Sequence, residues 1–227
     1  MRLAIVMPVL DEEAAIGATL AATRAGLGAG DELVVVDGGS RDRTVEVARA
    51  GGAAVVTSPK GRGRQMNAGA AASRGDVLLF LHADTTLPEG FRRDLEAVLA
   101  DPSVRWGRFD VRFDEGGPLL RLIAWLISTR SRLMRSATGD QAIFVRRQDF
   151  VAVGGYREPG LFEDVDLART LRRRGRMGIP GGRATTSSRR WRKRGVWSTT
   201  ARMWTLKTLY LLGVPASRLA RHYDDDR

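Results

Sequence analysis

The stretch 3-LAIVMPVLDEEAAIGATLAATRAGLGAGDELVVVDGGS-40 contains two short apolar runs separated by an Ala-rich segment. The runs Leu3–Val9 and Glu32–Val36 are predicted to be β-strands, and Ala14–Ala25 between them is predicted to be a helix. Strand, helix and strand in this order form a βαβ unit, whose two strands run parallel. The sequence therefore predicts an α/β fold with a mostly parallel central sheet flanked by helices.

The same alternation continues up to residue 100 and then stops. Before residue 100, the further predicted elements are the helices Asp42–Ala50, Arg64–Ser73 and Glu89–Leu99 and the strands Ala53–Thr57 and Asp76–Leu81. After it, they are the strands Arg108–Phe113 and Ala142–Val145 and the helices Leu119–Met134, Asp164–Arg174 and Trp197–Leu212. We predict one α/β domain over residues 1–195, in which residues 1–100 alternate strands and helices and residues 101–195 do not. Residues 196–227 are predicted to form an amphipathic helix and an acidic tail.

Composition excludes several classes of site. The 227 residues are 43% hydrophobic and 28% charged, which is typical of a chain that buries a core. The absence of cysteine excludes a disulfide scaffold, a thiolate zinc site and a cysteine nucleophile. Only His82 and His222 are present, so a site built from several histidines is excluded as well.

Positive charge is concentrated in the second half of the chain. The formal net charge of +11 is divided into −1 for residues 1–113 and +12 for residues 114–227. The segment Arg169–Arg194 has eleven basic residues and no acidic one. Such a segment attracts nucleic acid, an anionic membrane surface or a phosphorylated substrate, although a solvated basic face is an equally good explanation.

The chain is expected to be cytoplasmic and not to span a membrane. The apolar start, Met1–Val9, meets acidic residues at positions 11–13 too early for a signal peptide. No apolar run approaches the roughly 18 residues of a membrane-spanning helix. Peripheral contact with the inner face of the membrane stays compatible with this pattern.

Acidic side chains follow three of the predicted strands, at the edge where open parallel sheets bind ligands. They are Asp11, Glu12 and Glu13 after the first strand, Asp37 after the second and Asp84 after the fourth. Each could instead cap the following helix. Asp37 meets two glycines, so its carboxylate could accept hydrogen bonds from a ribose or a base.

Two of the acidic positions are candidates for catalysis. Asp84 could bind Mg²⁺ or Mn²⁺ together with substrate phosphates, and His82 could be a second ligand or a core histidine. Glu163 and Asp164 begin a predicted helix, where they could complement the helix dipole. A carboxylate at that place could also act as a general base.

Five motifs in order resemble family 2 glycosyltransferases with the GT-A fold. They are Ile5–Glu13, Val34–Thr44, Asn67–Gly69, Leu81–Asp84 and Glu163–Leu167. The resemblance covers about residues 3–195 and points to a small bacterial subgroup. It implies a glycosyltransferase domain over 1–195, with a nucleotide-sugar half (1–100) and an acceptor half (101–195). It implies an enzyme that transfers a sugar from a nucleotide-diphosphate donor, most often a UDP-sugar, with inversion at the anomeric carbon.

The resemblance also implies roles for single residues. Pro8, Leu10 and Glu12 are expected to line the nucleotide pocket, and Asp37 is expected to bind the base or ribose. Asp84 matches the metal-binding end of the Asp-x-Asp motif, and Asp164 matches the catalytic base, with Glu163 beside it. Further candidates for substrate binding are Arg64, Asn67, Asp140, Gln141, Arg190 and Trp191. Of these, Arg64 or Arg190 would hold the diphosphate. Asp140 and Gln141 would face the acceptor or form a turn, and Trp191 would stack on a sugar or be buried.

The chain departs from the family pattern at three positions. His82 replaces the first Asp of Asp-x-Asp, and Met66 stands where an Arg often precedes Asn67. Ser187 replaces the Gln of the Gln-x-x-Arg-Trp motif found in processive members, so a non-processive enzyme is expected.

The acceptor is not identified by these motifs. The helices Leu119–Met134 and Trp197–Leu212 have apolar faces flanked by Arg, which is compatible with a lipid-linked acceptor at a membrane surface. Both helices could instead pack on the core or on a second copy of the chain.

Other classes fit the sequence less well. A nucleotidyltransferase or nicotinamide enzyme would need a Gly-rich loop after the first strand, where this chain is acidic. A nucleic-acid-binding protein is disfavoured by sparse aromatics in the basic segment. A sugar-nucleotide-binding protein without activity stays an alternative.

Overall fold

The computed structural model describes residues 1–157, 161–214 and 218–219. The strands are β1 (Leu3–Val9), β2 (Glu32–Asp37), β3 (Ala54–Thr57), β4 (Val77–Phe80), β5 (Thr85–Thr86), β6 (Val104–Gly107), β7 (Asp110–Phe113), β8 (Ile143–Arg146), β9 (Arg176–Gly178) and β10 (Arg183–Thr186). The helices are α1 (Glu13–Ala25), α2 (Thr44–Ala50), α3 (Arg62–Ala72), α4 (Phe91–Leu99), α5 (Pro118–Leu133), α6 (Arg147–Ala152), α7 (Glu163–Leu171), α8 (Arg189–Arg194) and α9 (Val196–Leu211), with a 3₁₀ turn at Gly139–Gln141.

The central sheet has seven strands in the order β3-β2-β1-β4-β8-β6-β9. Strand β1 pairs in parallel with β2 and β4, and β3 continues the parallel pairing beyond β2. Strand β8 is antiparallel to both of its neighbours, β4 and β6. The mostly parallel sheet predicted from the sequence is therefore confirmed. Its register places Val9 beside Asp37, so the ends of β1 and β2 lie side by side.

Helices cover both faces of this sheet. Successive residues of a strand point to opposite faces, so each apolar strand packs against helices on both sides. On one face, Leu3 and Ile5 pack in a cluster with Leu20 of α1 and Leu95 of α4. On the other face, Ala4 and Val6 of the same strand belong to a cluster that contains residues of α3 and α7. Each fully buried aliphatic side chain contributes about 1.5–3 kcal/mol. This burial on both faces explains the nearly continuous apolar strands.

A second sheet of three strands, in the order β5-β10-β7, lies beyond the end of β4. The hydroxyl groups of Thr85 and Thr186 are 3.1 Å apart and join β5 to β10. The backbone N–H of Ser187 donates to the carbonyl of Asp84 at 3.1 Å. These bonds bring the chain that follows β10 next to the chain that follows β4.

A buried arginine fixes α5 against the second sheet. Arg108 is fully buried, and its guanidinium donates to the carboxylate of Asp110 and, at 2.8 Å, to the carbonyl of Ser128 in α5. Arg132 pairs with the other oxygen of Asp110. The charge of Arg108 is therefore neutralised where it lies, and α5 is held in place by the same group.

Several predicted boundaries were wrong. The strand predicted over Arg108–Phe113 is the shorter β7, which begins at Asp110, and the separate strand β6 (Val104–Gly107) before it was not predicted. The fourth helix begins at Phe91 rather than Glu89, since Gly90 before it has a left-handed backbone with φ of 70°. Predicted helix Asp164–Arg174 begins at Glu163 and ends at Leu171.

Only part of the predicted C-terminal extension lies within the described residues. Helix α9 coincides closely with the predicted one, whereas the acidic tail at 224–226 lies outside the described residues. Within the described ranges, no helix is both long and apolar enough to cross a bilayer.

Candidate functional site

A cavity of about 380 Å³ opens at the carboxyl ends of β1 and β4. Its lining residues come from the loop after β1, the start of α3, the loop after β4 and the segment after β10. They are Pro8, Val9, Leu10, Asp11, Glu12, Lys60, Arg62, Gln65, His82, Ala83, Asp84, Phe113, Asp140, Thr186, Ser187, Arg189 and Trp191. Seven of the fourteen predicted site residues therefore line this cavity: Pro8, Leu10, Glu12, His82, Asp84, Asp140 and Trp191.

Hydrogen bonds from other loops hold the segment after β1. Asp11 has a left-handed backbone with φ of 53°, and its carboxylate accepts from the N–H of Arg41 at 2.7 Å. Gln65 donates 2.8 Å hydrogen bonds to the carbonyls of Val9 and Val36, across the ends of both strands. These contacts fix the backbone that presents Leu10 and Glu12 to the cavity.

Asp37 is placed differently from the prediction. Its carboxylate accepts hydrogen bonds from the N–H of Gly39, the N–H of Ser40 and the hydroxyl of Ser40, and the residue is only 5% exposed. It is not among the residues that line the cavity. In this structure Asp37 closes the turn between β2 and α2, and its contact with a nucleotide stays a prediction.

Three more predicted residues do not line the cavity, for local reasons. The amide of Asn67 is paired with the backbone of Tyr156 in both directions, at 2.8 and 2.9 Å. Gln141 is fully buried and accepts from Ser131 and Thr138. Arg64 is exposed on the outer side of α3. Their roles in substrate binding stay predictions, and their positions in the structure do not support those roles.

Arg62 takes the place that was predicted for Arg64. It lines the large cavity, whereas Arg64 does not. Helix α3 begins at Arg62, two residues earlier than predicted. Residues two apart on a helix point about 200° apart, so Arg62 and Arg64 lie on opposite faces of α3 and only Arg62 faces the large cavity.

The loop after β4 carries the candidate metal ligands. Asp84 is exposed and lines the cavity, and the hydroxyl of Thr85 lies 3.4 Å from its carboxylate. Nδ1 of His82 lies 3.4 Å from the carboxylate of Asp140. In the described part of the chain, no group of three or more acidic or histidine side chains is arranged to hold a metal ion. A cation at Asp84 would need further oxygen ligands from a substrate.

The candidate base lies in an adjoining cavity of about 200 Å³. This cavity contains Glu163 and Asp164 and shares Arg62, His82, Asp140 and Trp191 with the large one. Helix α7 begins at Glu163, directly after Phe162, whose backbone is left-handed with φ of 73°. That turn places both acids at the wall of the cavity.

Burial controls the protonation of both acids. Burial raises the pKa of Asp164, against the opposing effects of hydrogen bonds from the N–H groups of Gly139 and Val165 and of the Arg62 charge. Burial also raises the pKa of Glu163, and the neighbouring Asp164 raises it further. Both carboxyl groups therefore hold their protons more strongly than ordinary acidic side chains.

Gly139 lies at the site, and the sequence motifs did not indicate that its lack of a side chain matters there. A Cβ atom added there would lie 2.4 Å from Cε1 of His82. Only glycine allows the 3₁₀ turn to approach both the His82 ring and Asp164. Lys60, Gln65 and Arg130 were also missed, because nothing in their local sequence distinguishes them from surface or core residues.

Trp191 lies between the two cavities. It lines both of them, and its ring centroid is 5.5 Å from that of Phe113 in an edge-on arrangement. The backbone of α8 places Arg190 next to it, but the Arg190 side chain lies outside what the structure describes. The role of Arg190 therefore stays a prediction.

Comparisons with known proteins agree with this architecture. The profile of glycosyl transferase family 2 matches residues 4–152. Glucosyl-3-phosphoglycerate synthase of Mycolicibacterium paratuberculosis is 36% identical over 96 residues, 38% of this chain and 29% of that protein. An uncharacterized glycosyltransferase of Mycobacterium tuberculosis is 37% identical over 98 residues, 43% of this chain and 42% of that protein. The matches cover less than half of each curated relative.

Solved structures show the same fold. Glucosyl-3-phosphoglycerate synthase from Mycobacterium tuberculosis, in complex with Mn²⁺, UDP and phosphoglyceric acid, superposes with a TM-score of 0.66 at 22% identity. That match covers 94% of this chain and 79% of the other. Residues 1–349 of S. aureus TarS in complex with UDP-GlcNAc superpose with a TM-score of 0.64 at 18% identity, covering 82% and 58%. The GT-A fold predicted from the sequence is confirmed.

Proposed function

The chain belongs to glycosyl transferase family 2, and from this premise we propose that it transfers a sugar from a UDP-sugar to an acceptor hydroxyl, with inversion at the anomeric carbon. The observation that carries the proposal is the pair of adjoining cavities. One contains Asp84, the other contains Asp164, and four residues line both. A donor in the first cavity would present its sugar to a base in the second.

The large cavity is the proposed donor site. Its volume of about 380 Å³ lies within the range of roughly 300–1,000 Å³ that is usual for small-molecule sites. Pro8, Leu10 and Glu12 would contact the nucleotide from the loop after β1. Structures with the same fold that contain UDP or UDP-GlcNAc support this choice of donor.

Asp84 is the proposed ligand of Mg²⁺ or Mn²⁺. An exposed carboxylate facing a cavity suits a hard cation that takes its remaining ligands from a diphosphate and water. His82 lines the same cavity and is the second candidate ligand. When bound, the ion would act as a Lewis acid for the departing diphosphate. Mn²⁺ and Mg²⁺ in related complexes with UDP support this assignment.

Fixed positive charges would stabilise the leaving group as well. Lys60, Arg62 and Arg189 line the donor cavity, and Arg190 follows in the sequence. Charge that develops on a diphosphate is stabilised by cations that are already in place. Arg62 has the most favourable position, because it lines both cavities.

Asp164 is the proposed general base. Its carboxylate would take the proton of the acceptor hydroxyl as the acceptor oxygen forms a bond to the anomeric carbon. The bond between that carbon and the diphosphate would break in the same step, and UDP would leave with the electron pair. Glu163 and Asp140 line the same cavity and would hold the acceptor. Trp191 would contact the transferred sugar.

This assignment retains the predicted organisation of the chain. Residues 1–100 would form the nucleotide-sugar half and 101–195 the acceptor half, with 196–227 as a C-terminal extension. A cytoplasmic location, contact with a membrane surface and a homodimer stay predictions.

A panel of UDP-, GDP- and dTDP-sugars, each with Mn²⁺ or Mg²⁺, tests the proposal by thermal shift. A ligand that binds only the folded state raises the melting temperature. We expect a rise with a UDP-sugar that disappears when EDTA is added. No rise with any sugar nucleotide would overturn the proposal. Binding without release of UDP over long incubation would favour a binding protein without activity.

A further inference from the structure

The cavity beside Asp164 has apolar walls. It runs between α5, the turn before α7 and α9, and its apolar lining consists of Ile123, Leu126, Ile127, Leu161, Phe162 and Met203. Polar groups are concentrated at one end, where Thr138, Asp140, Glu163 and Asp164 lie. We call this cavity the α5–α9 groove. Neither a sugar nor a small phosphorylated acid has an aliphatic chain that would pack against these apolar walls.

The groove is continuous with an exposed apolar surface on α5. Leu126 lines the groove and is nevertheless 50% exposed. Leu122, one turn earlier on the helix, and Trp125, the residue before Leu126, are also exposed. A long apolar ligand could therefore extend from Asp164 through the groove and along α5.

Two arginine side chains lie at the inner end of the groove, beside the carboxyl groups of Asp140, Glu163 and Asp164. Arg62 and Arg130 line it, and Nε of Arg130 is buried without a hydrogen-bond partner among the described residues. Burial lowers the pKa of Arg130, while the charge of Asp164 acts in the opposite direction. An anionic group bound near Arg130 would supply the missing hydrogen bond and compensate the buried charge.

We propose that the acceptor is a single-chain amphiphile with an anionic headgroup. Its aliphatic chain lies in the α5–α9 groove, its anionic group pairs with Arg130, and its hydroxyl reaches Asp164. This inference rests on the proposed function, because it takes Asp164 as the base. The buried Nε of Arg130, which has no hydrogen-bond partner among the described residues, favours the anionic group, and the apolar walls further out favour the chain over a chain-free phosphorylated acceptor.

Lysophosphatidic acid with a 12-carbon chain is a suitable probe, since it combines a chain, a phosphate and a free hydroxyl. It is titrated into the full-length protein below its micelle-forming concentration, and glycerol 3-phosphate is the matched ligand without the chain. We expect the amphiphile to bind at least about tenfold more tightly, because chain burial adds apolar contact. Equal affinity for the two ligands, or no binding of the amphiphile, would overturn the inference.

Two matched substitutions on α5 locate the binding site. Leu126→Glu places a charge in the groove and is expected to weaken binding of the amphiphile about tenfold or more. Leu133→Glu alters the same helix at a side chain that is 81% exposed and outside the groove lining, and it should leave binding unchanged. Equal loss in both variants would indicate adsorption to the apolar surface of α5 and would overturn the groove assignment.

Controls separate this inference from the proposed function. UDP binding with Mn²⁺ is measured for every variant and should be unchanged, which also verifies folding. Leu126→Ala, a milder change, should weaken amphiphile binding in the same direction. If UDP binds and the amphiphile does not, the inference alone fails. If UDP does not bind to the wild-type protein, the proposed function fails.

Discussion

The backbone N–H of Gly139 donates a hydrogen bond to Oδ2 of Asp164, which joins the 3₁₀ turn before β8 to the first turn of α7. A second N–H, that of Val165, donates to Oδ1. Both bonds favour the ionised carboxylate, but burial outweighs them and raises the pKa of Asp164. A carboxylate in this environment is a stronger base, once ionised, than an exposed one.

The pH profile of UDP release should reflect this raised pKa. A general base acts only when it has lost its proton, so kcat/KM should rise with pH through the pKa of Asp164 in the free enzyme. We expect the midpoint of this acidic limb to lie above 3.8, the usual value for Asp. A profile that is flat from pH 4 to 8 would contradict the assignment of the base.

Glu163→Gln should stabilise the protein at neutral pH. The folded state raises the pKa of Glu163, so it binds the proton more strongly than the unfolded chain. Stability is therefore lost as pH rises above the usual value of 4.5, and the substitution removes this loss. Melting temperatures measured from pH 4 to 7 should show an advantage of the variant that grows with pH. A difference independent of pH would contradict the burial of an ionisable group here.

Asp84→Ala should remove the metal dependence of UDP binding. In the wild-type protein we expect UDP to bind more tightly with Mn²⁺ than with EDTA, because the ion joins the diphosphate to Asp84. The variant should bind UDP in Mn²⁺ as weakly as the wild type does in EDTA, measured by calorimetry. Glu89→Ala, an exposed acid in the segment before α4 that lies outside the cavity lining, is the control and should behave like the wild type.

Asp110→Asn should be strongly destabilising. It removes the charge that compensates the fully buried Arg108, and breaking a buried pair in this way costs about 3–5 kcal/mol. Arg132→Ala breaks the other ion pair of Asp110, but Arg132 is 55% exposed, so a loss of at most about 1 kcal/mol is expected. Urea unfolding of both variants checks the comparison. A similar loss of stability for both variants would mean that the fold does not depend on neutralising the buried charge of Arg108.

The architecture of the first half of the chain could be predicted because its strands are apolar on both faces. Leu3–Val9 is buried except at Pro8, Val77–Phe80 is buried throughout, and this pattern has few alternatives in an α/β protein. The second sheet was missed, since its strands are short and its two-residue strand Thr85–Thr86 has no periodicity to detect. Strand pairings across about 100 residues, such as Thr85 with Thr186, leave no local signal.

The site could be predicted only as far as local sequence carries its signal. Acidic residues that follow a buried strand, such as Asp84, or begin a helix, such as Asp164, could be found in this way. The difference between Arg62 and Arg64 could not, because it depends on which face of α3 turns towards the cavity when the helix packs on the sheet. Arg130 faces the site only because Arg108 fixes α5 against the second sheet, a tertiary contact that periodicity does not encode.

Asp164 as the base is tested most directly by the rate of UDP release from a UDP-sugar, with water accepting the sugar, by the wild-type protein and by Asp164→Asn in the presence of Mn²⁺. General-base catalysis contributes about 10²–10⁴-fold, so the variant should lose a factor in this range. The affinity for UDP should stay unchanged, because Asp164 does not line the donor cavity. Glu46→Gln, an exposed acid on α2, is the control and should retain full activity. Release of UDP by Asp164→Asn at the wild-type rate would contradict the account.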